Sequence, residues 1–243
     1  MGTENTKRNQ AKERRRERKE ARKTLKNGRN SETKKSLERV LIVSEGIKTE
    51  PTYFNKLVDY LKLVPTDIEV TGAKHSCPKK VVEYAIELYE KSLNTPQEYD
   101  LVFCVIDKDS HAHYSDALDK IDRYKTQGVL YAINSVPCFE LWLLLHFTYT
   151  TKPFSKIMNR SICQALIKDE LKKYLPNYEK NISNLKKNEL ASIYNDTTIV
   201  SAIKRAEQLI IHCSSAETDN PSTKIHELVS KLQEIKNRPF RDV

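Results

Sequence analysis

The chain has 243 residues, 38% hydrophobic and 31% charged, which is long enough to bury a core in one or two domains. No stretch approaches the roughly 20 uninterrupted apolar residues of a membrane span, and no apolar signal-peptide core opens the chain, so a cytoplasmic location without membrane association is expected. The formal charge is +9, but of 42 Lys/Arg and 33 Asp/Glu, residues 1 to 39 hold 15 and 6, leaving 27 of each in the remainder, so the whole excess lies in the tail.

That tail, residues 1–38, carries Arg14, Arg15, Arg16, Arg18 and Lys19 and has almost nothing apolar to bury. It is expected to be disordered, or helical only when bound. Such a basic arm neutralises phosphates of RNA or DNA in a salt-dependent way; the other reading is a solubilising tail without a specific partner.

From residue 40 the pattern changes. Val40-Leu41-Ile42-Val43 is a continuous apolar run, the mark of a strand covered on both faces. Pro51 follows, and Tyr53, Phe54, Leu57, Val58 and Leu61 repeat at helical spacing. Ile68-Glu69-Val70 is a short second strand, and Pro78 opens a helix with Val81, Val82, Ala85, Ile86 and Tyr89 on one face. Leu101 to Ile106 is the most apolar strand. A helix with Tyr114, Ala117, Leu118 and Ile121 precedes a fourth strand, Val129 to Ile133.

After Pro137 the segment Cys138–Phe147 reads as a buried helix holding Trp142. Residues 148–198 are polar and lysine-rich, with a weak helix near Ile162–Tyr174; helices over Val200–His212 and after the stop-and-cap signal Asn220-Pro221-Ser222-Thr223 close the chain. The alternation predicts an α/β, Rossmann-like fold: a mainly parallel sheet of about four strands with helices on both faces over residues 39–147, and a helical C-terminal region, 148–243, packed on it. Ligands of such sheets bind beyond the carboxyl ends of the strands.

Both long strands end in acids: Ser44-Glu45-Gly46 after the first, and Asp107-Lys108-Asp109 after the third. Carboxylates placed together repel one another unless compensated, and hard oxygen ligands suit Mg²⁺ or Mn²⁺. Residues two apart on an extended segment project to one side about 6.5 Å apart, so Asp107 and Asp109 can surround one ion or a pair, with Glu45 arriving from the neighbouring strand. Two ions about 3.5–4 Å apart are the usual arrangement for phosphodiester hydrolysis. The bland alternative is that each Asp is only a helix cap. Lys48-Thr49 lacks the leading glycine of a phosphate-binding loop, which excludes a P-loop, and no G-x-G-x-x-G occurs, which argues against a dinucleotide site.

The run Val43-Ser44-Glu45-Gly46-Ile47-Lys48-Thr49-Glu50-Pro51-Thr52-Tyr53-Phe54 resembles the opening motif of the RloB family, which includes the AbiLii-like abortive-infection proteins. The resemblance continues through Val105-Ile106-Asp107-Lys108-Asp109, through Pro137-Cys138-Phe139-Glu140-Leu141-Trp142-Leu143-Leu144-Leu145-His146-Phe147, and through Asn220-Pro221-Ser222-Thr223. It implies a Toprim-like fold, as in topoisomerases, bacterial primases and OLD-type nucleases, with Glu45, Asp107 and Asp109 as metal ligands. It further implies a toxic effector of antiphage defence that cleaves RNA, including tRNA, or DNA and works with an AAA-type ATPase partner. One departure is Val136, where the family usually carries asparagine.

Glu140, in an otherwise apolar segment, needs a partner or a metal and is a further candidate. Lys48 could stabilise charge on a phosphate, while Glu50 reads as a helix-capping acid. His146 reads as a hydrogen-bonded core histidine, and His75, His111 and His113 as solvated loop residues. The cysteines Cys77, Cys104, Cys138, Cys163 and Cys213 lack any C-x-x-C pair, so reduced, mostly buried thiols are expected rather than disulfides or a zinc site. A non-catalytic nucleic-acid- or partner-binding subunit, a nucleotidyl-transferase and a homodimer remain open alternatives.

Overall fold

The central strands are apolar on both faces, and the fold covers both. A computed structural model describes residues 38–73, 77–108, 114–125, 128–156 and 159–237. Its first half runs β1 (Val40–Ser44), α1 (Thr49–Leu61), β2 (Ile68–Gly72), α2 (Pro78–Ser92), β3 (Leu101–Asp107), α3 (Tyr114–Lys125) and β4 (Leu130–Val136). Then follow α4 (Glu140–Leu145), α5 (Ile162–Asp169), 3-10 turns at Leu171–Lys173 and Ile182–Asn184, α6 (Lys187–Ile193), α7 (Asp196–Ser215), β5 (Ser222–Thr223) and α8 (Ile225–Asn237). The sheet order is β2-β1-β3-β4-β5. The first four strands are parallel and β5 is antiparallel to β4.

Alternate residues of each strand sort into two cores, as the pleat requires. Val40, Ile42, Phe103, Val105 and Ile133 face Tyr53, Phe54 and Leu57 of α1 together with the C-terminal helices. Leu41, Val43, Val102, Cys104 and Ile106 face Val81, Val82 and Ala85 of α2 and Ala117 and Ile121 of α3. The fold is therefore mixed α/β with helices on both faces, as the alternation predicts. Residues from 148 onward contribute heavily to the first core: Leu166, Leu171, Tyr178, Ile199, Leu209, Leu228 and Leu232 all belong to it.

Three local differences from the sequence reading have simple causes. Ser222 and Thr223 pair with Val136 and Ser135 and make a fifth strand. They do so without losing the cap, because Thr223 Oγ1 accepts from Ile225 N at 3.3 Å. The helix expected to reach Tyr174 ends at Asp169, after a capping box at Ser161–Gln164 has fixed its start, and continues as the 3-10 turn. α6 has no sequence counterpart; its seven residues are too short to show helical periodicity.

The connectivity places the site. From β1 the chain passes through α1 to β2 on one side, and then returns to β3 on the other side of β1. The order reverses between β1 and β3, and in sheets of this kind ligands bind beyond the carboxyl ends of the strands at such a reversal.

Candidate functional site

Glu45 follows β1 and donates its backbone N–H to Val105 O of β3 at 3.2 Å. Asp107 is the last residue of β3 and pairs in register with Ser135 of β4. The two acids therefore leave adjacent strands at the switch point. Two glycines make the turn possible. Gly72 ends β2 beneath it: a Cβ there would meet Gly46 O at 2.6 Å and Ile47 Cα at 2.8 Å, backbone atoms that move only with the whole turn. A Cβ on Gly46 would run into the carboxylate of Glu50, which accepts the Gly46 N–H at 3.2 Å.

Glu50, in the first turn of α1, is buried. Burial, reinforced by the charge of Glu140 and more weakly of Glu45, lifts its pKa to about 7 against the opposing bond from Gly46. Asp107 is pushed well above the usual carboxylate range, first by desolvation and then by Glu50, Glu140, Cys163 and Glu45. Four carboxylates thus share one small region. Glu140 enters at the start of α4, 5% exposed, and its Oε1 accepts the Tyr178 hydroxyl at 2.9 Å.

Among the described residues, a cation within the field of this cluster comes from the C-terminal region. Lys180 adopts a left-handed backbone conformation, φ 51°, and its carbonyl accepts the Thr49 hydroxyl from the first turn of α1 at 2.5 Å. Partial burial would lower its pKa, but the fields of Glu140, Cys163, Cys138 and Asp107 outweigh this and hold it above the ordinary lysine value. Because Lys180 is exposed as a residue, solvent still screens its charge.

Of the residues singled out in the sequence, the fold brings Glu45, Asp107 and Glu140 together. Lys48 stands exposed at the N-cap of α1. Asp109, His75, His111 and His113, and the tail residues Arg14, Arg15, Arg16, Arg18 and Lys19, lie outside the described residues. Lys108 turns away to pair with Asp219. His146 is a core residue: its Nδ1 bonds Trp142 O at 2.9 Å, and burial lowers its pKa to about 4. Val136 is buried in β4, paired with Ser222.

Tyr178 and Lys180 were not visible as site residues from the sequence, and Glu50 was read there as a capping acid of the helix. Glu50 carries a weak signal, five positions after Glu45 in the same strand-to-helix turn. Tyr178 and Lys180 carry none, since they sit in a polar stretch with no periodicity.

Residues 40–232 match the family model described as RloB-like protein. The chain belongs to the RloB-like family. No curated protein and no solved structure matches it. The span matched in this RloB-like chain includes Glu45, Glu50, Asp107, Glu140, Tyr178 and Lys180, and begins after the basic tail.

Proposed function

We propose that this RloB-like chain is a Toprim-type, divalent-metal-dependent endonuclease that hydrolyses phosphodiester bonds of RNA, tRNA among them, or of DNA. The observation that carries the reading is the convergence of Glu45 and Asp107 from adjacent parallel strands at the switch point of the sheet, inside a cluster of four carboxylates. Holding four acids together, Glu50 and Glu140 buried and Glu45 and Asp107 partly so, is unfavourable unless a cation compensates. Their hard oxygen donors fit Mg²⁺ or Mn²⁺, held by Glu45 and Asp107 and, on the family resemblance, Asp109. Bound there, an ion would supply Lewis acidity toward the phosphoryl group and would activate a water.

The chain's own residues divide the remaining work. Glu50 lies buried in the first turn of α1 beside the other acids, where its carboxylate is placed to accept a proton. Lys180 places a positive charge beside the acids, where it offsets negative charge gathering on the phosphate. Tyr178 fixes Glu140 through its hydroxyl. The same resemblance supports an effector role in antiphage defence with an AAA-type ATPase partner. A second reading, a non-catalytic subunit that grips nucleic acid or a partner, is favoured by the confinement of the excess positive charge to residues 1–39.

Incubating the purified full chain with tRNA, single-stranded DNA and plasmid, in Mg²⁺ or Mn²⁺ and with or without the ATPase, separates the two. Cleavage that EDTA abolishes and that Asp107→Asn reduces by at least about a hundredfold is the expected result. No cleavage of any substrate, or an Asp107→Asn protein as active as the wild type, overturns the nuclease reading. Metal-independent binding that vanishes when residues 1–38 are removed would then support the second.

A further inference from the structure

Of the five cysteines, two behave as small core residues. Cys104 packs within the sheet among Leu41, Val43 and Val102, and Cys213 donates its Sγ–H to Pro221 O at 3.0 Å. Cys138 and Cys163 are placed differently. Cys138 lies at the corner between β4 and α4, two residues before Glu140, while Cys163 lies in the first turn of α5. One ligand atom from each of Cys138, Glu140 and Cys163 falls within 4.8 Å of the others. All three residues are buried, at 1%, 5% and 4% exposure.

We propose that Cys138, Glu140 and Cys163 bind a thiophilic divalent cation, Zn²⁺, at a site that adjoins the Glu45–Asp107 pair through Glu140 and uses a different set of donors. The inference goes beyond the nuclease reading and does not depend on it. Two sulfurs and one carboxylate oxygen are a three-ligand set of the kind zinc accepts, with a fourth position left for another donor. Bond lengths of about 2.3 Å to sulfur and about 2.0 Å to oxygen put neighbouring donors of a tetrahedral site roughly 3.3–3.8 Å apart. The donors, which lie within 4.8 Å of one another, need to approach by at most about 1.5 Å. Thiolates are soft ligands, which select zinc over the magnesium that suits an all-oxygen site.

Packing alone does not account for this cluster. A buried carboxylate needs partners to offset its desolvation, and a valine or alanine would fill the space of either thiol without presenting a ligand atom to Glu140. The surroundings match those of a ligated centre. The Tyr178 hydroxyl bonds Glu140 Oε1 at 2.9 Å, the kind of outer hydrogen bond that orients a ligating group. Cys163 lies where the helix dipole favours a thiolate. Two thiolates and a carboxylate around a dication leave one net negative charge, and the Lys180 ammonium lies within its field. The ion would tie the β4–α4 corner to α5.

Full-length protein expressed with added Zn²⁺ and purified without chelator under reducing conditions should carry about one zinc per chain by inductively coupled plasma mass spectrometry. Cys163→Ala and Cys138→Ser should lose it, whereas Cys213→Ser should keep it. Reconstituting chelator-stripped protein with Co²⁺ alone should give sulfur-to-cobalt charge-transfer absorption that Cys163→Ala removes, a readout requiring no substrate. If a variant fails to fold, Glu140→Gln, which preserves size and the bond from Tyr178, is read instead. Wild-type protein free of zinc and giving no thiolate–cobalt spectrum overturns the site. So does a Cys138–Cys163 disulfide in its place, or equal metal content in Cys163→Ala. None of these results bears on cleavage in Mg²⁺ or on the Asp107→Asn comparison.

Discussion

Glu50 is the residue on which pH acts most directly. Its carboxyl titrates at about 7 in the folded protein against an ordinary 4.5, so ionised Glu50 weakens the fold above pH 7, and that cost disappears as pH falls from 7 through 4.5. At full extent the cost is about 3 kcal/mol, shared with its acidic neighbours. Glu50→Gln keeps an acceptor for the Gly46 N–H and removes the charge. In chelator it should therefore be more stable than the wild type to urea at pH 8, by up to about 3 kcal/mol, with the gain gone at pH 4.5. A gain of equal size at both pH values would show that charge is not its cause. His146 carries the opposite sign. Its pKa of about 4 lies below the ordinary 6.5, so protonating it opposes folding and stability falls as pH drops from 6.5 toward 4. Imidazole NMR should show it neutral down to pH 5; titration near 6.5 would contradict its burial. Lys180→Met should lower the maximal cleavage rate about tenfold or more with little change in melting temperature, whereas an effect confined to KM would assign it to substrate capture.

At the scale of elements, the turn between β1 and α1 is held by what passes beneath it. Gly72→Ala puts a methyl group against Gly46 O and Ile47 Cα, so the turn carrying Glu45 must shift. A loss of about 1–3 kcal/mol in stability and weaker Mn²⁺ binding by calorimetry are expected; unchanged metal affinity would mean that the turn does not set the geometry of Glu45. α4 is the other support. Trp142 is fully buried and meets Tyr53 and His146 edge-on at 6.5 and 4.9 Å between ring centres. The strands and the longer helices were legible because each presents a continuous or 3.6-residue apolar pattern to a core. α6 and the two-residue β5 were not, because neither is long enough to repeat.

For the whole molecule, charge and chemistry are segregated: the excess basic residues precede the family-matched span, and the acids converge within it. Removing residues 1–37 should leave the melting temperature unchanged. It should also reduce the slope of log affinity for nucleic acid against log salt by about 0.9 for each phosphate of duplex DNA that the tail neutralises. An unchanged slope would reduce the tail to a solubilising segment. The C-terminal region supplies β5, much of one core, and both Tyr178 and Lys180 to the candidate site.

By itself the sequence determined the α/β alternation and the two acidic strand ends, because burial on both faces writes an unbroken apolar run and an acid directly after it is conspicuous. Chain order could not reveal that β3 returns beside β1, which makes neighbours of Glu45 and Asp107. Nor could it show Glu50 folding back on Gly46, or Lys180 and Tyr178 arriving from a stretch without periodicity. Cys138 and Cys163 are the clearest case. They lie on separate elements at a spacing that matches no ligand motif, and only the packing of α5 against α4 sets their sulfurs beside one carboxylate. Convergence of residues distant in sequence is a property of the packed core, and it was there that the site was decided.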